Sequence, residues 1–206
     1  DGVNDYILGT TNLPDTSQTS ISVWIQPQSD RYSAIFYDAV GVTPGRDTQL
    51  VTDVGNDIQA DFSKDNSPSS GSINVPGALQ IGNWHHVVLT LGPTNSKLYL
   101  NGTLISTSPV VSHNTGYHSL PHIGAANHGS GVEHWFHGKI DDLAIYNRAL
   151  SAAEVGGLYN AAGVSGVGST FASSNPGNIQ PDMFAKDDEP LFAKHAAGGV
   201  GRKAPN

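Results

Sequence analysis

Cysteine is absent from the 206-residue chain. Disulfides and thiolate metal sites are therefore excluded as sources of stability. No run of about 18 apolar residues occurs, so no segment reads as a membrane span. Glutamate is scarce: Glu133, Glu154 and Glu189 are all there is. No Gly-x-Ser-x-Gly elbow, Walker loop or dinucleotide fingerprint occurs, so the common signatures of serine hydrolases and nucleotide-using enzymes are missing. Basic residues are few as well, 10 Lys and Arg against 18 Asp and Glu, for a net charge of −8. Before residue 163 there are six basic and fourteen acidic residues; from there on there are four of each. The acidity thus sits in the folding part of the chain. That argues against nucleic acid as a partner, because phosphate recognition wants a basic stripe. It permits cation binding by carboxylates. No leader pattern is seen, so a secreted protein would be met here in mature or trimmed form.

What is present is strand signal. Charged residues make up only 14% of the chain and apolar ones 37%, a balance against general disorder. Turn residues punctuate the chain about every ten residues, the spacing of a sandwich or barrel. SISVWIQP (20–27) alternates, with Ile21, Val23 and Ile25 on one face. SAIFYD (33–38), DIQADFS (57–63), NWHHVVLTLG (83–92), SLPHIGAA (119–126) and KIDDLAIY (139–146) are further candidates. SKLYLNGTLIST (96–107) reads as a hairpin turning at Asn101-Gly102, a pair suited to the positive φ angles of a type I′ turn. One helix is expected after Ser151, where Ser-Ala-Ala-Glu forms a capping box. Val155, Leu158 and Tyr159 supply its apolar stripe. His85 and His86 are adjacent in a strand, point opposite ways and read as packing residues.

After Gly163 the composition changes. Residues 164–181 are rich in Gly, Ser and Pro and read as linker. Phe184-Ala185-Lys186 then recurs as Phe192-Ala193-Lys194. Two readings stand: chance recurrence in an unstructured tail, or aromatic anchors (Phe184, Lys186, Phe192, Lys194) that dock an extended arm on neighbouring protein subunits.

Four stretches in order carry a resemblance: DGVNDYI at the start, GNWHHVVLTL with LYLNGTLI, HIGAA, and GKIDDLAIYNRALSAAEV. Together they resemble the laminin-G-like, concanavalin A-like jelly-roll domains of the bacterial subgroup. The resemblance implies an all-β fold, a two-sheet antiparallel jelly-roll sandwich, with one short C-terminal helix and an extended tail. The domain is expected over residues 1–162, followed by a linker and arm over 163–206. Members of that family carry further strand sequence before the segment matched by DGVNDYI, whereas this sequence starts on it. A missing first strand supplied by another chain is one expectation from that difference.

The resemblance also implies a structural Ca²⁺ where the N-terminal segment meets the Ile-Asp-Asp strand. The matching positions are Asp1, Asn4, Asp5, Asp141 and Asp142. Adjacent strand residues point to opposite faces, so Asp141 and Asp142 face one ion only if a bulge intervenes. The expectation is that one ligates while the other caps a turn or pairs with Arg148. The alternative is a solvated acidic strand end.

Residues 113–139 hold six of the nine histidines, with Tyr117, Trp135 and Phe136. One reading is a glycan platform: Tyr117 and Trp135 stack on sugar rings while Asn127, His128, Glu133 and His134 bond hydroxyls. A second is a transition-metal site through His134 and His137, a spacing weak by itself. A third is loop histidines satisfying backbone groups, with Trp135 in the core. Hydrolases of the resembled fold carry Glu-x-Asp-x-Glu on one strand, and that motif is missing here; a lyase using Tyr117 and histidines remains the catalytic alternative. The expectation is therefore a non-enzymatic module on a cell or virion surface, or otherwise extracellular. It binds glycan or surface polysaccharide, or serves as a structural or decoration protein tied to other subunits by its arm.

Overall fold

The computed structural model describes residues 5–13, 18–39, 47–63, 70–109, 120–127, 131–163 and 192–194. Among them fourteen strands form two six-stranded sheets and a two-stranded ribbon, with one helix. The first sheet runs in the order β1 (Ile7–Leu8), β10 (His122–Ile123), β3 (Ser33–Ala39), β4 (Asp47–Asp53), β5 (Asp57–Ser63) and β6 (Ser70–Val75). The second runs β14 (Phe192–Lys194), β13 (Gly138–Tyr146), β2 (Thr19–Pro27), β7 (His85–Leu91), β8 (Ser96–Leu100) and β9 (Thr103–Ser108). The ribbon pairs β11 (Ala126–Asn127) with β12 (Val132–Glu133). Neighbouring strands are antiparallel throughout. The expected all-β jelly-roll sandwich is what forms.

Period-two alternation places the core between the sheets. Ile21, Val23 and Ile25 of β2 and Val87, Leu89 and Leu91 of β7 face Phe36, Leu50, Ile58, Ala60 and Phe62 of the first sheet, all buried. Each large side chain removed from water here contributes about 1.5–3 kcal/mol. Two full strands, β4 and β6, are not anticipated by apolar pattern. DTQLVTD offers only Leu50 and Val51, and SGSINV only Ile73 and Val75. Both strands form because β5 and its neighbours supply the pairing, so tertiary context outweighs weak local signal.

The hairpin turns where expected, with φ of 50° at Asn101 and 77° at Gly102. Its tip is locked to β7: His86 N–H donates to Asn101 Oδ1 at 2.9 Å and Asn101 N–H donates to the His86 carbonyl at 2.8 Å. The helix α1 (Ala152–Gly163) begins at the capping box: Ser151 N–H donates to Glu154 Oε2 at 2.7 Å and Glu154 N–H to Ser151 Oγ at 3.3 Å. It covers the outer face of the second sheet, where Val155 joins Val88, Tyr99, Tyr146 and Leu150 in a separate buried cluster. Trp24, His86 and Tyr159 stack beside that cluster. Both histidines of β7 are packing residues. His86 lies under α1, and His85 is buried in register with core-facing Ile25, its Nε2 accepting from Gln80 N–H at 3.0 Å.

The arm returns to the sandwich. Phe192, Ala193 and Lys194 pair through their backbone with Ile145, Ala144 and Leu143 of β13. Phe184 and Lys186 lie outside the described residues.

Candidate functional site

The outward face of the first sheet carries a polar ladder. Register puts Tyr37, Gln49, Asp61 and Ser72 in one row across β3 to β6, opposite in facing to the core row of Phe36, Leu50 and Ala60. Gln49 Nε2 donates to Asp61 Oδ2 at 2.8 Å, and Gln59 Nε2 donates to the same oxygen at 2.7 Å. Further along, Asn74 Nδ2 donates to Asp57 Oδ2 at 3.3 Å, while Asp57 Oδ1 accepts Gly77 N–H at 2.9 Å. Ser72 and Asn74 are exposed and Gln59 and Asp61 half-buried, so this half of the face is open to solvent.

The other half is walled by the ribbon. Ala126 packs on Ala34, Tyr37 and Val51, with Tyr32 alongside. Past β12 the chain turns sharply at His134, whose φ is 55°. The His134 carbonyl accepts Ala34 N–H at 2.8 Å, and the Trp135 carbonyl accepts Arg31 Nη2 at 2.9 Å. The His134 ring meets Tyr32 edge-on, centroids 4.8 Å apart at 82°. The Tyr32 hydroxyl reaches Gln49 Oε1 at 3.5 Å, a long bond that ties this aromatic pair to the ladder. His134 Nε2 lies 3.9 Å from Glu133 Oε1.

Of the residues expected to contact glycan, Asn127, Glu133 and His134 thus sit on the wall beside the ladder, and Trp135 is half-buried next to it. Tyr117 and His128 lie outside the described residues. Tyr32, Gln49, Gln59 and Asp61 were not anticipated. Their signal was the alternation of Gln59 and Asp61 with core-facing Ile58, Ala60 and Phe62, which marks one strand face as polar without saying what it holds.

On the same face His122 stacks on Tyr6, ring centroids 5.7 Å apart. Burial lowers its pKa, against an opposing backbone hydrogen bond to Leu120 and the charge of Asp38.

The calcium expectation meets a mixed geometry. β13 has its bulge between Asp141 and Ala144, with Asp142 at φ 47° and its N–H donating to Asp141 Oδ1 at 2.9 Å. This is the irregularity that two adjacent carboxylates need if they are to serve one ion. A methyl group built on Gly124 would lie 3.5 Å from the Asp5 carbonyl oxygen and 3.7 Å from Ile140 Cδ1, so the N-terminal segment does run close to β13. Asp1 and Asn4 lie outside the described residues. Among the described residues no group of three or more His, Cys, Asp or Glu converges as a metal site, and this includes any third ligand for His134 and His137. Arg148, considered as a partner for one of the aspartates, holds Glu154, with Nη2 2.7 Å from Oε1.

Two antiparallel sheets packed around one core define a jelly-roll sandwich. The family model described as concanavalin A-like lectin/glucanases superfamily matches residues 1–156. The chain belongs to that superfamily. No curated protein matches the sequence significantly. Among solved structures, the native heptameric SAP-like pentraxin from Limulus polyphemus superposes with a TM-score of 0.61 at 20% identity, covering 76% of each chain. The CBM40 of the Ruminococcus gnavus IT-sialidase, bound to α2,3-sialyllactose, gives 0.63 at 16% identity over 76% of this chain and 97% of its own. The NanB sialidase of Streptococcus pneumoniae matches over only 27% of its length, with a TM-score of 0.62 at 14% identity. At these identities the likeness is one of fold. Carbohydrate-binding modules are among the neighbours. Among the described residues no helix is long and apolar enough to cross a membrane.

Proposed function

We propose that the protein is a non-catalytic glycan-binding module of an extracellular, cell-surface or virion-surface assembly, and that its ligand lies on the outward face of the first sheet. The observation that carries this is the Gln49–Asp61–Gln59 ladder set beside the Tyr32–His134 pair. Fixed amide and carboxylate groups next to an aromatic wall suit a ring that offers hydroxyls on its rim and C–H on its faces. Asn127, Glu133 and Trp135 flank the same surface. The non-catalytic reading is supported by the sequence, which carries no Glu-x-Asp-x-Glu motif.

A glycan array is the test. Gln59→Ala and Tyr32→Ala, each with an unchanged melting profile, are expected to lower binding at least tenfold. Undiminished binding by both variants would place the ligand elsewhere.

A second reading is favoured by β14. A strand from the arm adds to the edge of β13, and the same act performed on a neighbour's edge ties subunits together. In that reading the protein is a structural or decoration component. Its arm docks through Phe184, Lys186, Phe192 and Lys194. Loss of assembly on deleting residues 164–206, with no sugar bound in the array, would favour it.

We also propose a structural Ca²⁺ held by Asp142 or Asp141 with Asp5, Asp1 and Asn4. The β13 bulge and the nearby N-terminal segment support it. Its test is a chelator: the melting temperature falls and added Ca²⁺ restores it, an effect that Asp142→Asn diminishes. Indifference to chelator would remove the ion.

A further inference from the structure

We infer that the outward face of the first sheet selects neutral glycans and excludes carboxylated ones, an inference that rests on the reading of this face as the glycan surface. Two properties of the face carry it.

The first is its donor and acceptor balance. Both amide groups of the ladder spend an N–H on Asp61 Oδ2. Among the described residues Asp61 Oδ1 and Gln59 Oε1 receive no hydrogen bond, and both residues are half-buried rather than enclosed. Each amide keeps a second N–H, so the face has donors too, but at Asp61 Oδ1 and Gln59 Oε1 the complement is a donor. A sugar hydroxyl donates; an ionised sugar carboxylate only accepts. A carboxylate set against Asp61 Oδ1 would meet an acceptor and a like charge at once.

The second is the placement of cations. On the outward positions of β3 to β6 among the described residues there is no Lys or Arg, while Asp53, Asp57 and Asp61 are there and Glu133 stands on the wall. Arg31 is turned to the Trp135 carbonyl. Lys97 and Lys139 belong to the second sheet, in register with Thr90 and Gln26, and Arg148 is held by Glu154. An anionic ligand over β4 to β6 thus meets like charge, and among the described residues no guanidinium stands on those strands to offset it. This runs opposite to what likeness to a sialyllactose-bound neighbour would lead one to expect.

The experiment is an array holding lactose, cellobiose, maltose and xylobiose beside α2,3- and α2,6-sialyllactose and digalacturonic acid, probed with the wild type and with Asp61→Asn. The wild type is expected to bind one or more neutral sugars and none of the carboxylated ones comparably. Asp61→Asn removes the charge and nearly keeps the shape, and is expected to narrow the neutral-over-carboxylated preference by roughly fivefold to tenfold. Should that variant melt early, Gln59→Lys places a cation on the open face instead and is expected to raise binding of the carboxylated sugars. A wild type that binds sialyllactose as well as lactose, or variants that leave the preference unmoved, would overturn the inference and leave the glycan reading standing. Binding to no sugar of either kind would overturn the glycan reading itself, and the inference with it.

Discussion

Ser22 Oγ and His86 Nε2 share a hydrogen bond of 2.9 Å beneath α1, while His86 Nδ1 is buried with no partner among the described residues. The ring also stacks on Trp24, centroids 5.1 Å apart. A second proton on this imidazole would be a charge in an apolar sandwich of rings. Burial accordingly lowers its pKa from 6.5 to about 4. A histidine with a depressed folded pKa favours the native state while it stays neutral. Its contribution is whole above the unfolded value of 6.5 and falls away as the pH drops towards 4, by on the order of 3 kcal/mol. Denaturant titrations at half-unit steps should show that decline. His122 is shifted the same way and adds to it. His86→Phe keeps a ring in the stack and cannot titrate, so its stability should vary less over this window. An unchanged slope would mean that His86 is charged or solvated in the native state.

A second acid limb lies lower. Glu154 is held down to about 2, first by its hydrogen bond to Arg148 and also by those to Ser151. A depressed carboxylate stabilises the native state above its unfolded value of 4.5 and loses that effect as the pH falls towards 2. The pair is well exposed, so solvent screening limits its worth to about 1 kcal/mol. Glu154→Gln retains an acceptor for the Ser151 amide and removes the charge. The melting temperature at pH 7 should then fall only slightly, while the loss between pH 4.5 and 2 flattens. A large drop at pH 7 would show that the ion pair, not the cap, holds the start of α1.

The parts of this fold that were legible were those where local chemistry and tertiary role agree. β2, β5 and β7 alternate because one face is core. Asn101-Gly102 turns because both residues accept positive φ. Ser151 and Glu154 cap because nothing else satisfies those amides. β4 was hidden because its outward positions, Gln49 and Asp53, are as polar as a loop. The same polarity hid the candidate site. Gln49, Gln59 and Asp61 come from two strands, and only register unites them on one oxygen. The histidine-rich loop was conspicuous, and among its described residues Asn127, Glu133 and His134 come to the wall, with Trp135 beside it; Tyr32, from a short loop before β3, joins them. The bulge at Asp142 was foreseen as a condition for two carboxylates to converge, not as a feature of the chain.

Gly71 faces Phe62 in the β5–β6 register, and a Cβ on Gly71 would fall on the Phe62 ring. The ring is fully buried and cannot swing out to water. Gly71→Ala should therefore destabilise the protein by about 1–3 kcal/mol through overpacking, despite the better strand propensity of Ala. Phe62→Leu alone should also cost stability by loss of packing. Combined, the two should cost less than their sum, by 0.5 kcal/mol or more in a double-mutant cycle read from urea unfolding. Strict additivity would show that the ring is not what Gly71 accommodates.

The last expectation concerns the edge that the arm covers. β13 pairs with β2 on one side and, at Leu143 to Ile145, with Phe192 to Lys194 on the other. Three residue pairs stabilise little by themselves. The core between the sheets owes nothing to them, because Ile145 and Leu143 are packed against β2 and the first sheet. Ending the chain after Gly163 should therefore leave the melting temperature within a few degrees of the full-length value. The backbone groups of Leu143 to Ile145 are then left open, and an open sheet edge recruits another strand. Light scattering after size exclusion should show the truncated protein associating as its concentration rises, while the full-length protein does so less. Adding a synthetic peptide that contains Phe192-Ala193-Lys194 with its flanking residues should reverse that association. A truncated protein that stays as monodisperse as the full chain, at every concentration, would show that the β13 edge is closed by something other than the arm.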